Sequence, residues 1–439
     1  MAGASASSQG GAEGWPLNTK RRDYSMRPMG MQELTIRIRL HIAALAVCLA
    51  TSGGVGPAAH GETSKHPALT SASGALSPLT ACRRWLCADD TRFRWIGVTA
   101  FGLADHVADG RTSEARAFVE WARDTGFNVL RVLAMLPNGG WLDLAPEDGR
   151  RALPQVFALG REHGMYVQVV ALANTNEKSG RFRTEPFLRE QVREIARLCA
   201  AAGNCVLEIA NEPYHGSQAD LARPELMQRL QQEVPDGLPV AWGAAENDVS
   251  TAMAGGTFVV SHITRSGDRW ARVARARDLA TLAEKTGKFV VDNEPIGAAE
   301  IPEPSRRDSS PEAFFAKGVM SRLLEVGATF HCEDCLRAAV PGPVQRHCAE
   351  GFVEGRRIVP ESVHLTSVGT AAAGAPATSA GAPERVIGAV SGDRAWVLLL
   401  GEAVEAPATV GAGWRPDRQL AARPGVEVWT LVREPGSGE

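Results

Sequence analysis

The chain has 439 residues, of which 44% are hydrophobic and 22% charged, and its formal net charge is −3. Those proportions belong to an ordinary globular protein of the soluble class. Near-neutral charge without a basic stripe argues against a nucleic-acid partner.

The chain opens on a targeting pattern. Arg37 and Arg39 precede the apolar stretch Ile42–Ala50, and small residues continue through Gly56-Pro57-Ala58-Ala59. A positive region, an apolar core and a small-residue cleavage zone form a secretory signal. Residues 1–58 are therefore read as an N-terminal extension with a signal peptide. The mature protein is expected to be secreted or periplasmic, with no stable membrane association after cleavage. The apolar stretch is short for a bilayer span. A membrane anchor or a misplaced start is the competing reading, with Met26, Met29 or Met31 as alternative first residues. Residues 59–80 are Ser, Thr, Ala, Gly and Pro without periodicity, a linker.

From Phe93 an order repeats: apolar run, loop, amphipathic helix. The strand candidates are Trp95–Phe101, Asn128–Leu133, Met165–Ala171, Cys205–Ala210, Pro239–Gly243, Thr257–His262, Lys288–Asp292 and Ala328–His331. Between them the helical pattern predicts Ser113–Thr125, Asp148–His163, Glu185–Ala202, Arg269–Thr286 and Ser310–Val326, each ending just before a glycine. Glycine past a helix end accepts the left-handed conformation that closes it. Ser310-Pro311 suits an N-cap followed by proline in the first turn. Eight strands alternating with helices predict an α/β protein, a (β/α)₈ TIM barrel over residues 81–360. An open doubly wound sheet is the alternative. The first strand–helix junction, Ala100-Phe-Gly-Leu-Ala-Asp105, has no glycine-rich phosphate fingerprint, which argues against a nucleotide-binding version. Residues 361–384 read as an Ala/Gly/Pro-rich linker, and 385–439 as a small C-terminal β module with strands near Arg385–Val390, Ala395–Leu400 and Val426–Val432. Packing on the barrel is expected of it in preference to independent sugar binding.

Seven cysteines lie beyond residue 58, an odd number, so at least one is free or pairs between chains. Cys82–Cys87 and Cys199–Cys205 are plausible local disulfides. Cys332-x-x-Cys335 with His331 and His347 nearby has some zinc character, but no second Cys-x-x-Cys completes it. A structural disulfide to Cys348 is the favoured reading, and no metal is expected.

The chemistry is carried by a repeated tripeptide. Asn211-Glu212-Pro213 closes the run Cys205–Ala210, and Asn293-Glu294-Pro295 closes Lys288–Asp292. Proline bars a central strand from continuing, so two glutamates stand at the carboxyl ends of two buried strands, the edge where parallel α/β folds place their chemistry. Two facing carboxylates are the minimal machinery for cleaving a glycosidic bond. Other strand ends offer Phe101, Arg131, Asn174, Tyr214, Trp242, Glu246, His262, Asp292 and His331 to the same face.

With these residues the barrel resembles the clan of retaining glycoside hydrolases with paired glutamates on strands four and seven, nearest to glycoside hydrolase family 5, the cellulase- and mannanase-like group. The resemblance covers roughly residues 90–360. It implies that Glu212 is the acid/base, with Asn211 contacting the sugar 2-hydroxyl, and that Glu294 is the nucleophile. It matches Arg131, in Asn128-Val-Leu-Arg131, to the family's strand-two arginine, and His262 to its strand-six histidine. Arg131 beside the nucleophile would keep it ionised. The acid/base would have its pKa raised by burial or by the other carboxylate. Tyr214, Trp242 and His331 are the remaining candidate substrate-binding residues, and Trp141 is a further candidate for sugar stacking. The implied partner is an oligo- or polysaccharide, and no cofactor is required.

The chain departs from the family pattern in three places. Thr264 stands where a tyrosine is usual, Ala328-Thr-Phe-His331 lacks the strand-eight tryptophan, and Asn174 replaces a strand-three histidine. These changes mark a divergent branch. The reading is a secreted retaining hydrolase of a β-linked glycan. A non-catalytic carbohydrate-binding barrel derived from one is the alternative. A metal-dependent barrel hydrolase is the third, and it would want a His-x-His that this chain lacks.

Overall fold

The computed structural model describes residues 76–439 apart from 140–141, 176–183, 216–217, 219–220, 247–249, 264, 266, 304–305, 369–385, 402–412 and 436–439. The N-terminal extension with its signal pattern, most of the first linker, Trp141 and Thr264 lie outside the described residues. No helix among the described residues is long and apolar enough to cross a membrane.

Eight parallel segments build the barrel: β1 (Ile96–Thr99), β2 (Val129–Leu133), β3 (Tyr166–Leu172), β4 (Cys205–Ala210), β5 (Val240–Ala241), β6 (Val259–His262), β7 (Val290–Asp292) and β8 (Gly327–Phe330). Their hydrogen-bonded order is β5-β4-β3-β2-β1-β8-β7-β6. The ring closes through a broken fifth segment: Val240–Ala241 pairs with β4, while Ala245–Glu246 pairs with β6. Each of the eight predicted runs overlaps one of these strands, as the alternation of buried apolar runs and glycine-stopped helices dictates.

The period of two sorts each strand into an inward and an outward set. Trp95, Val129, Tyr166, Val206, Phe258 and Phe289 form one apolar cluster at the barrel's base. One inward step up, the apolar layer is interrupted by Arg131, Gln168, Glu208 and Thr329, all fully buried. One step further stand His262, Asn293 and His331. The polarity of the interior therefore rises toward the carboxyl ends of the strands. Gly327 belongs to this packing, because a Cβ there would stand 2.9 Å from Val291 Cγ2 and 3.0 Å from Phe289 Cζ.

The outward residues meet the helices α1 (Thr112–Thr125), α2 (Pro146–Glu162), α3 (Glu185–Ala202), α4 (Pro224–Gln231), α5 (Arg277–Thr286), α6 (Pro311–Leu323) and α7 (Pro343–Arg357). Gly126, Gly203 and Gly287 end α1, α3 and α5 in the left-handed conformation, as expected. Two predicted helices differ. The stretch Arg269–Thr286 is two helices, Arg269–Ala274 and α5. The Ser310 hydroxyl caps α6 by accepting from Ala313 N at 3.3 Å, but α6 ends at Leu323 and not at Gly327. Glu325 takes the left-handed turn there, at φ 59°. Its carboxylate is gripped by Arg94 at 3.0 and 3.1 Å and also meets Arg92 and Arg322. Buried charge pairing holds a conformation that a non-glycine residue otherwise avoids.

An antiparallel sheet of Thr80–Cys82, Trp85–Ala88 and Thr91–Arg92 precedes β1. Leu86 joins the cluster at the barrel base, and Trp85 meets Phe289 edge-on at 6.0 Å between ring centroids. At the other end of the chain, Thr366–Val368, Val386–Ser391, Arg394–Leu400, Val426–Arg433 and Trp414–Arg423 form an antiparallel sheet in that order. Its first strand falls inside the stretch read as linker, the rest of which, from residue 369, lies outside the described residues. Ile387, Trp396, Leu398 and Val428 share one core with Phe315, Val319 and Leu323 of α6. The module is packed on the barrel, as its small size requires.

Cys82–Cys87 and Cys199–Cys205 are disulfides, as expected. The third differs: Cys332 pairs with Cys335, and Cys348 is a buried free thiol. The reason is local. Cys332 caps the helical turn Glu333–Leu336, its sulfur accepting from Cys335 N at 3.0 Å, so the turn itself brings the two cysteines together. Sulfurs joined in a disulfide are not available as thiolate ligands for zinc.

Candidate active site

The carboxyl ends of β2, β4, β6, β7 and β8 deliver one continuous polar network. Its centre is Arg131 on β2. The guanidinium forks onto Glu208 of β4, Nε to Oε2 at 3.0 Å and Nη2 to Oε1 at 2.9 Å. The Nη2 group also donates to Asn211 Oδ1 at 2.7 Å, and Nη1 donates to Glu294 Oε1 at 2.6 Å. Glu208 further accepts from Gln168 Nε2 at 2.8 Å and from Asn293 Nδ2 at 3.0 Å. The two asparagines of the repeated tripeptide thus serve one buried ion pair: Asn211 accepts from its cation and Asn293 donates to its anion. Burial pushes the Glu208 carboxyl up, while the fork and the two amides supply what an ionised carboxylate requires. Arg131 stays a cation. Burial opposes its charge, and Glu208 and Glu294 outweigh burial.

Glu212 and Glu294 face each other over this network. One oxygen of each and one ring nitrogen of His262 all lie within 4.8 Å of one another. His262 stands between the carboxylates, with Nδ1 3.2 Å from Glu212 Oε1 and Nε2 3.7 Å from Glu294 Oε1. The Tyr214 hydroxyl donates to Glu212 Oε1 at 3.2 Å. Arg265 reaches in from the loop after β6. It donates to the Glu294 backbone carbonyl from Nε at 3.2 Å and Nη2 at 3.0 Å, and from Nη2 to Glu294 Oε2 at 3.3 Å. Phe101 lies under Arg131, 5.0 Å from ring centroid to Cζ. His331 is hydrogen-bonded to Thr99 Oγ1 through Nδ1 at 3.0 Å. Burial pushes its pKa down to about 3, so it is a neutral polar wall at ordinary pH.

The two carboxylates differ in kind. Glu294 has 8% of its side chain exposed and Glu212 has 25%. Burial alone would raise Glu294, but His262, Arg131 and Arg265 hold it far below the usual carboxylate range. For Glu212, burial also pushes upward, yet the hydrogen bond from His262 wins and the carboxyl is lowered. The expectation of a raised Glu212 is therefore corrected. Burial and Glu294 do act in that direction, but a histidine in contact outweighs both. Together the groups offer one ionised, fixed carboxylate, a second more accessible one within a few ångströms, and cations behind the first.

Of the predicted residues, Glu212, Glu294, Asn211, Arg131, His262 and Tyr214 are joined by the contacts above, and His331 borders them. Trp242 goes elsewhere: its indole Nε1 donates to Gln231 of α4 at 2.5 Å and its ring packs on Gly255. Asp292 points outward and pairs with Lys317 of α6 at 2.5 Å. The Glu246 side chain lies outside the described residues. Glu208, Gln168, Asn293 and Arg265 were not foreseen. Glu208 did leave a signal, a lone acid in the apolar run Cys205–Ala210 that shares the inward parity of Ala210.

The sequence matches no protein-family model and no curated protein. The fold has solved counterparts. A glycoside hydrolase family 5 crystal structure from Bacteroides vulgatus aligns with TM-score 0.57 at 13% identity, covering 82% of this chain and 93% of that one. A putative glycoside hydrolase from the same organism aligns with TM-score 0.57 at 14% identity, over 79% and 69% of the two chains. A third structure, described as a glycoside hydrolase, aligns with TM-score 0.55 at 12% identity, over 83% and 98%. The chain shares the (β/α)₈ barrel of family 5 glycoside hydrolases at low sequence identity.

Proposed function

We propose that this protein is a secreted or periplasmic retaining glycoside hydrolase that cleaves a β-linked oligo- or polysaccharide by double displacement. The observation that carries the reading is the pair Glu212 and Glu294, with carboxylate oxygens within 4.8 Å across the barrel mouth. Retaining enzymes hold their carboxyls about 5–5.5 Å apart, and inverting ones about 6.5–9.5 Å, to admit a water. Glu294 attacks the anomeric carbon, being the fixed and ionised member. Glu212 gives its proton to the departing oxygen, then takes one from the water that releases the sugar. Arg131, Asn211, His262, Tyr214 and His331 bind and orient. Two carboxylates and water complete both steps, so no cofactor enters. The three disulfides support an oxidising compartment.

The test is the stereochemistry of the first product, read by ¹H NMR of the anomeric proton before mutarotation, on a panel of β-glycans. The expected product is the β-anomer. An α-anomer as the first product rejects the double displacement.

The charge state of Glu212 predicts the pH dependence. The acid must be protonated for the first step, and its pKa lies below the ordinary carboxylate value. The first-step rate, read as kcat/KM, therefore falls as pH rises through the carboxylate range, and neutral pH lies well down the descending limb. His262→Asn removes the imidazole that lowers Glu212 and moves that limb to higher pH. A limb in the same place in both proteins contradicts the assignment of the acid.

A further inference from the structure

We infer that Arg265 supplies unbalanced positive charge that helps eject Glu294 from its sugar ester in the second half of the reaction, beside Arg131, whose charge is shared between Glu294 and Glu208. The inference rests on the retaining reading above. It starts from charge pairing. Arg131 touches Glu294 at 2.6 Å, but its guanidinium is forked onto Glu208, an anion buried as completely as itself. Its charge is matched whether or not Glu294 is ionised. Arg265 has no such second anion. Its bonds to the Glu294 carbonyl fix its place, and among the described residues its one carboxylate partner is Glu294, through Oε2 at 3.3 Å.

Oε1 is held by the short bond from Arg131, which leaves Oε2, in the longer contact, as the attacking oxygen. In the first step the Oε2–C1 bond forms and the bond from C1 to the leaving oxygen breaks, with the proton coming from Glu212. Glu294 is then a neutral ester, and Arg265 is a cation without its counter-ion beside it. Its side chain is 24% exposed, so water screens that charge only in part. In the second step water gives a proton to Glu212 and bonds to C1. The Oε2–C1 bond breaks, and the electron pair returns to Glu294, where Arg265 receives it. The unpaired cation thus disfavours the ester and favours the departing carboxylate. A lower carboxylate pKa makes a better leaving group and a weaker attacking group, so Arg265 favours the second step at the expense of the first.

The test uses the full chain, with Arg265→Met and Arg265→Lys, on 2,4-dinitrophenyl β-glucoside, β-mannoside and β-cellobioside. For Arg265→Met we expect kcat to fall roughly tenfold, equal to about 1.4 kcal/mol in the barrier of the second step. KM should fall by at least as much, so kcat/KM holds or rises, because a more basic Glu294 is the better attacking group. A pre-steady-state burst of dinitrophenolate should appear, with glycosyl-enzyme visible by intact mass during turnover. Arg265→Lys keeps the charge and should show a smaller burst. If Arg265→Met does not fold, Arg265→Gln replaces it. A fall in kcat/KM equal to that in kcat, with no burst, overturns the inference and leaves Arg265 a structural clamp. That result would leave the retaining reading intact. A wild-type chain that neither turns over nor labels with any of these glycosides overturns both.

Discussion

Glu294→Gly is expected to lose activity by about 10⁴-fold or more, the scale on which removal of a covalent nucleophile acts when the rest of the site is intact. The fold should survive, because the side chain lies at the open end of the barrel and its removal leaves the Arg131–Glu208 pair closed on itself. The decisive part is rescue. Azide or formate admitted to the vacated space attacks the anomeric carbon from the face that Glu294 occupied. The product with azide should be the α-glycosyl azide, inverted relative to the substrate. Glu212→Gly behaves differently. It loses less on substrates with activated leaving groups, which need no proton, and azide then yields the β-glycosyl azide by attack on the ester. The two azide products, identified by NMR, separate the two glutamates without reference to rate. The same anomer from both variants would contradict the roles.

The second large effect concerns stability. Arg131→Met leaves Glu208 fully buried with its fork removed. Breaking a buried pair from one side costs about 3–5 kcal/mol, because the surviving charge is stranded. Unfolding by urea should register a loss of that order, together with loss of activity. Glu208→Leu alone should cost a similar amount. The double variant Arg131→Met, Glu208→Leu should recover much of the stability while remaining inactive, since replacing both partners with apolar groups of similar size can be nearly neutral. Additive losses in the double variant would mean that the two residues are not energetically a pair.

The barrel could be read from sequence because its signals are local. Buried strands are short apolar runs, and helix ends are glycines such as Gly126, Gly203 and Gly287, placed where only a left-handed turn fits. The end of α6 was misplaced because Glu325, not the glycine two residues on, makes the turn, and its arginine partners Arg92 and Arg94 lie more than 200 positions away. The site divides in the same way. Glu212, Glu294, Arg131 and His262 could be named because a strand end is a local feature. Glu208 could not be given a role, because its partner Arg131 is 77 positions away. Arg265 lies three residues past a strand end, and its contact with Glu294 spans 29 positions. Trp242 shows the limit of the strand-end rule. The fifth segment breaks after Ala241, so the next side chain turns to Gln231 in the helix layer.

The central claim is that Glu294 becomes covalently attached to a sugar. The measurement that tests it most directly is incubation of the mature protein with 2-deoxy-2-fluoro β-glycosides bearing a good leaving group, followed by intact mass and peptide mapping. Fluorine at C2 slows release of the ester, so the intermediate accumulates. The predicted result is a single sugar adduct on the peptide containing Asn293-Glu294-Pro295, on Glu294 itself. Turnover of the matched substrates without any adduct, or an adduct on Glu212, would contradict the account.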